Sequence, residues 1–205
     1  MSRRRLLGRL IALAILVLLL IWVFPRLKNL LRIVQLYREP APASLLVPVQ
    51  GIGPSDLTDT WGAARSGGRS HEGIDIFALR GTPVTAATHG VVIFKGLNLL
   101  GGRVVEVVGP AGWRHYYAHL DAWSAVGIGD WVEVGTVLGY VGDSGNAKGT
   151  PTHLHYGVYV RGGATNPYPL LVPTALRHPP SPAPAPSGPP RRRRGARRRS
   201  AAASR

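Results

Sequence analysis

Two short stretches of this 205-residue chain concentrate side chains able to hold a metal or move a proton. The first is Arg69-Ser70-His71-Glu72-Gly73-Ile74-Asp75-Ile76 and the second Thr152-His153-Leu154-His155-Tyr156. Along an extended chain residues 71, 73 and 75 face one side, so an imidazole and a carboxylate point the same way, with Gly73 leaving room for an ion between them. Both are zinc donors, and the carboxylate also lowers the net charge of such a site. By the same alternation His153 and His155 share one face and Leu154 and Tyr156 the other. Packing explains two adjacent imidazoles poorly, because each ring has two nitrogens to satisfy. The spacing alone leaves open whether one or both bind a metal. A third group, Tyr116-Tyr117-Ala118-His119-Leu120, places His119 at a strand end with Tyr117 and His115 on its face.

The segment carrying these groups reads as an all-β domain, a Gly-rich antiparallel sandwich or open barrel over residues 51–172. Twenty-three of the 26 glycines fall between Gly51 and Gly163, separating short runs rich in Val, Ile and aromatics. The expected strands are Gly73–Phe77, Pro83–Ala86, Gly90–Lys95, Arg103–Val108, Arg114–His119, Val137–Tyr140 and His153–Val160, at the spacing of a sandwich or barrel. The run Gly127–Gly139 contains G-D-x-V-x-x-G, similar to the turn of biotinyl and lipoyl carrier domains. Lys95 and Lys148, the lysines of this domain, do not stand where a carrier lysine would, so that likeness bears on fold and not function.

The net charge of +15 belongs to the ends. Residues 1–38 hold eight basic residues and residues 173–205 nine, with no acid in either, whereas residues 39–172 hold eight against all ten acids. A folded part near −2 offers no excess charge to phosphates, which argues against a nucleic-acid-binding domain. The chain has no cysteine, excluding a disulfide scaffold, a thiol nucleophile and a cysteine-anchored lipoprotein. Residues 1–9 are basic and residues 10–24 wholly apolar, an expected transmembrane anchor whose apolar run starts near Leu6. A cleaved export signal is the alternative, although Phe24-Pro25-Arg26-Leu27-Lys28 lacks the small residues a signal peptidase needs. Residues 25–38 read as a separate amphipathic juxtamembrane helix, with Leu27, Leu30, Leu31, Val34 and Tyr37 on one face. Residues 39–50 read as a linker. Residues 173–205, with eight Pro and two arginine runs, read as a disordered tail able to contact anionic polymers.

Taken together, R-x-H-x-G-x-D-I at 69–76, G-T-P-V-x-A-A-x-x-G-V-V at 81–92, Y-A-H-L at 117–120, H-L-H-Y at 153–156 and Asn166-Pro167 resemble the lysostaphin-type zinc metalloendopeptidases, which cut peptide bridges of bacterial peptidoglycan. The resemblance spans residues 46–172. It implies one zinc ion on His71, Asp75 and His155, and a catalytic pair, His119 and His153, that polarises the attacking water. Three protein ligands would leave an open position, as in catalytic zinc sites. It further implies a peptidoglycan peptide as substrate and a domain held outside the cytoplasmic membrane. A non-catalytic wall-binding or regulatory module is the rival reading, which an intact set of five disfavours. Oligomeric state is not legible.

Overall fold

The computed structural model describes residues 3–177, apart from the side chains of residues 3–6, 175 and 177. Among these residues nine strands form one antiparallel system: β1 (Ile74–Phe77), β2 (Pro83–Thr85), β3 (Gly90–Asn98), β4 (Gly102–Val108), β5 (Arg114–Trp123), β6 (Trp131–Val132), β7 (Val137–Val141), β8 (His153–Val160) and β9 (Gly163–Thr165). The main path runs β1-β8-β5-β4-β3-β6. β7 joins β5 to β2, and β9 pairs with β8. Alternation sorts the side chains: in β8, Leu154, Tyr156 and Val158 enter a core shared with Val84, Val92, Val105, Val107, Leu120, Leu138 and Val141, so His153 and His155 are turned to the opposite face.

β5 does not end at His119 as expected but continues to Trp123. The register shifts on both sides of this point, between Arg103 and Val105 against β4 and between Leu120 and Ala122 against β7. His119 itself has a φ of 63°. The extra residue bends the strand, so the first half pairs with β8 and the second with β7, and it turns the His119 side chain out of the regular alternation.

The supposed linker is half domain. Leu45, Val47 and Val49 are buried in the main core, and the chain here runs beside β2, with Val49 bridged to Val84, Thr85 N–H donating to Pro48 O (3.0 Å) and Leu45 N–H to Leu170 O (2.8 Å). Pro40, Pro42 and Pro48 hide this extended, alternating segment from a strand reading. Thr174–Arg177 makes one helical turn at the start of the expected disordered tail, and the remainder of that tail lies outside the described residues.

The N-terminal helix also departs from expectation. α1 runs unbroken from Arg3 to Arg38, through Pro25. A proline removes one helical hydrogen bond. Here that bond is the one to the Ile21 carbonyl, while Arg26 Nη1 donates to the next carbonyl, that of Trp22 (2.5 Å), and Pro25 is followed by the good helix formers Arg26, Leu27 and Lys28. The face that meets the β domain is not the apolar stripe: Leu27, Leu30, Leu31, Val34 and Tyr37 remain exposed, while Leu36 is fully buried against Val91 and Val108, with Ile33, Ile93 and Trp131 around it. Arg32 stacks over Trp131, and His89 Nε2 meets Glu39 Oε2 at 2.8 Å just past the helix end. The helix end is therefore packed into the folded unit. Leu36→Ala should cost about 2 kcal/mol of this docking, the low end for a buried leucine because the cluster is small. That raises the undocked population roughly thirtyfold, and trypsin cleavage at Arg32 and Arg38 should accelerate accordingly while the β domain stays resistant.

Candidate metal centre and cleft

Asp75 and His155 are direct cross-strand partners in β1 and β8, and His155 is likewise opposite Ala118 of β5. His71 lies in the loop before β1, fixed by main-chain bonds from His71 N–H to Ala63 O and from Gly62 N–H to His71 O, both 2.9 Å. Its Nδ1–H donates to Thr60 O (2.8 Å), leaving the Nε2 lone pair facing His155 Nδ1 (2.8 Å) and Asp75 Oδ1 (3.1 Å). His155 Nδ1 is 3.3 Å from the same Asp75 oxygen. One ligand atom from each residue thus falls within 4.8 Å of the other two. Two imidazole nitrogens and a carboxylate oxygen converging with so few protons to share is a donor set suited to a divalent metal.

Gly73 does not leave the ion-sized gap expected of it. A Cβ there would come within 2.6 Å of the Tyr156 carbonyl and 2.7 Å of His155 Cε1. The missing side chain instead lets β8 close onto the loop and bring the His155 ring beside His71.

His119 and His153 flank this cluster. Their rings are 5.0 Å apart, and His119 is 5.8 Å from the His155 ring. Each donates Nδ1–H to a main-chain carbonyl, Ser144 for His119 and Pro151 for His153, both at 2.8 Å. In the neutral ring this leaves Nε2 as the acceptor. His153 Nε2 lies 3.9 Å from Asp75 Oδ1. Ser144 is a crossing point: its hydroxyl donates to Leu120 O (2.8 Å) and accepts from Arg103 N–H (2.9 Å), and His119 N–H donates to Gly101 O (2.8 Å). Gly102 and Gly145 touch backbone to backbone, which seats the β3–β4 turn against the loop holding Ser144. The left-handed backbone of His119 is costly for a residue with a Cβ, and these bonds from both neighbours hold it there.

The electrostatics follow from burial and these contacts. Burial alone would raise the Asp75 carboxyl, but its contacts with His155, His71 and Arg65 hold it far below the ordinary carboxylate range. Burial lowers His155. Burial, aided by the neighbouring His155 and His153, pushes His119 down to about 4. All five residues open onto one cleft of about 820 Å³, walled by Phe77, Leu100, Tyr116 and Tyr159 and edged by Arg65 and Asn146.

Other expectations come out differently. Tyr117 is fully buried, its hydroxyl accepting from Ala87 N–H (3.0 Å), and plays no part in the cleft. His115, expected on the face of His119, is wholly buried. Its Nδ1 is paired with the Tyr156 hydroxyl at 2.7 Å, and its Nε2 has no hydrogen-bond partner among the described residues. Burial pushes His115 to about 4. In the unfolded chain it titrates near 6.5, so between these values the unfolded state binds more protons and stability falls as the pH is lowered. That loss should begin below about pH 6.5, level off below pH 4 and total about 3 kcal/mol. Melting curves across this range should show a shallower acid limb for His115→Gln than for the parent.

Sequence reasoning missed Thr60, Arg65 and Ser144. Arg65 and Arg69 bracket the tight Ser66–Gly68 turn, and Arg65, not the motif residue Arg69, forms the ion pair with Asp75.

Known proteins are similar to this part of the chain. Residues 69–167 match the model of peptidase family M23. The crystal structure of the catalytic domain of lysostaphin from Staphylococcus simulans superposes with a TM-score of 0.52 at 30% identity, covering 58% of this chain and 94% of that one. The chain belongs to peptidase family M23. Among curated members, the L-Ala–D-Glu endopeptidase of Bacillus subtilis (strain 168) is 44% identical over 124 residues, 55% of this chain and 38% of that protein. The DD-carboxypeptidase/endopeptidase Mpg of Neisseria meningitidis is 41% identical over 106 residues, 52% of this chain and 24% of that protein. The chain therefore matches well under half the length of these two M23 relatives.

Proposed function

We propose that this M23 member is a membrane-anchored, zinc-dependent endopeptidase that hydrolyses peptide cross-links of bacterial peptidoglycan outside the cytoplasmic membrane. The observation that carries this reading is the convergence of His71 Nε2, Asp75 Oδ1 and His155 Nδ1 at the floor of a cleft with two further imidazoles beside them. These three residues would hold the ion. Bound there, zinc would supply Lewis acidity, lowering the pKa of water toward about 7 and polarising the scissile carbonyl. His119 and His153 present Nε2 into the same space. One takes the proton of the attacking water and passes it to the leaving amine, and the other stabilises charge developing on the carbonyl oxygen. The relatives named for L-Ala–D-Glu and DD-endopeptidase activity support a peptide of the wall as substrate.

α1 is long and apolar enough to cross a membrane, and its side chains from Leu7 to Phe24 are exposed. The burial of Leu36 supports retention of the helix, since cleavage near Ala41–Ala43 would uncover Val91 and Val108. We place the catalytic domain at residues 45–172. The arginine-rich tail, beyond the described residues, suits contact with anionic polymers.

The test is full-length protein in detergent, incubated with purified peptidoglycan with zinc or with a chelator, and fragments read by mass spectrometry. Zinc-dependent loss of cross-linked species is expected, and the fragment masses identify the bond. Folded, zinc-loaded protein that binds the wall and leaves every cross-link intact would make it a binding module.

A further inference from the structure

The two oxygens of Asp75 have different neighbours. Oδ1 faces His71 Nε2 at 3.1 Å, His155 Nδ1 at 3.3 Å and His153 Nε2 at 3.9 Å, whereas Oδ2 is taken by Arg65 Nη2. We propose that Arg65 is a positioning residue of the metal centre, holding Asp75 by Oδ2 so that Oδ1 alone is turned to the ion. This rests on the reading that His71, Asp75 and His155 hold zinc.

The pairing is built into the backbone on both sides. Asp75 N–H donates to Thr60 Oγ1 (3.0 Å) in the same loop whose Thr60 carbonyl fixes His71. Arg65 N–H donates to Arg69 O (2.9 Å), and Ala64 is bridged to Ser70, so Arg65 stands at the neck of a hairpin closed by Gly67 and Gly68, both at positive φ. The turn thus delivers a guanidinium, permanently charged and with directed donors, to the oxygen of a carboxylate that is only 8% exposed. Without that contact the carboxylate can rotate, and the ligand oxygen must be reordered when the metal binds. Groups that orient a ligand in this way typically change metal affinity by about 10- to 100-fold when removed. Arg69 shares the hairpin but donates to Ser66 O (3.2 Å) instead, which makes it a control for the loop itself.

Full-length protein, stripped of metal in detergent, is titrated with zinc in competition with a chromophoric chelator. Arg65→Gln should weaken zinc binding about 10- to 100-fold. Arg65→Lys should recover part of the loss, keeping the charge without the fork, and Arg69→Gln should bind as the parent does. The visible spectrum of the cobalt-substituted protein should change in Arg65→Gln and not in Arg69→Gln. Zinc affinity within twofold of the parent in Arg65→Gln, or an equal loss in Arg69→Gln, overturns the assignment. A parent protein that takes up no zinc overturns the metal reading of the whole centre, which is a different result from a parent that binds and an Arg65→Gln variant that binds equally well.

Discussion

Asp75→Ala is expected to abolish stoichiometric zinc and to lower cross-link hydrolysis at least about a thousandfold. Asp75 contributes the one carboxylate of the cluster, and its Oδ1 lies within 3.3 Å of the imidazoles of His71 and His155. Alanine leaves His71 and His155 with no carboxylate beside them to balance a dication. It also strands the Arg65 guanidinium beside the site, adding repulsion where there was neutralisation. A catalytic metal supplies several kcal/mol of transition-state stabilisation, and about 4 kcal/mol corresponds to roughly 10³ in rate. Asp75→Asn separates shape from charge: it keeps the side-chain volume and an oxygen, and should retain weak zinc binding with activity between the two extremes. Zinc content of the purified variants, measured beside fragment release from peptidoglycan, checks both. One equivalent of zinc and more than a tenth of parental activity in Asp75→Ala would remove Asp75 from the centre.

What was legible in the sequence is what the period of a strand encodes. Leu154 and Tyr156 enter the core and His153 and His155 leave it because side chains alternate, and the glycine-punctuated runs mark seven of the nine strands. Four things were not legible, for separate reasons. The gap expected at Gly73 is filled by a ring from β8, because a pattern within one strand says nothing about how closely another approaches. Residues 45–50 carry a buried alternation of Leu45, Val47 and Val49, but prolines remove the donors by which an edge strand is recognised. In α1, periodicity identified an apolar stripe without saying which face would be covered: Ile33 and Leu36 dock, and Leu27, Leu30, Leu31 and Val34 do not. Tertiary complementarity to Val91, Val108 and Trp131 decides that choice, and no single segment holds the information. Arg65 and Ser144 act through a side-chain pair and a main-chain carbonyl reached across the fold, and residue type alone does not mark either.

His119→Gly is expected to lose about 10²- to 10⁴-fold in hydrolysis, the usual worth of a positioned acid–base group, with zinc bound at one equivalent and stability nearly unchanged. Two opposing effects meet at this residue. Its φ of 63° costs a non-glycine residue about 1–2 kcal/mol, which glycine relieves. Against that, removing the ring forfeits the bond from Nδ1 to Ser144 O, worth about 1 kcal/mol net, together with some packing against His153. The balance should therefore lie within about 1–2 kcal/mol of zero, as expected of a residue whose backbone strain is kept for its chemistry. His153→Ala should lose activity on the same scale without any such compensation, since His153 lies in regular β8 and carries no left-handed backbone. Melting temperature, zinc content and fragment release measured on both variants separate the cases. If His119→Gly retained activity within tenfold of the parent, the ring would be structural and His153 would have to act alone. If the variant lost zinc as well as activity, His119 would belong with the ligands, and the open position proposed for water would be taken.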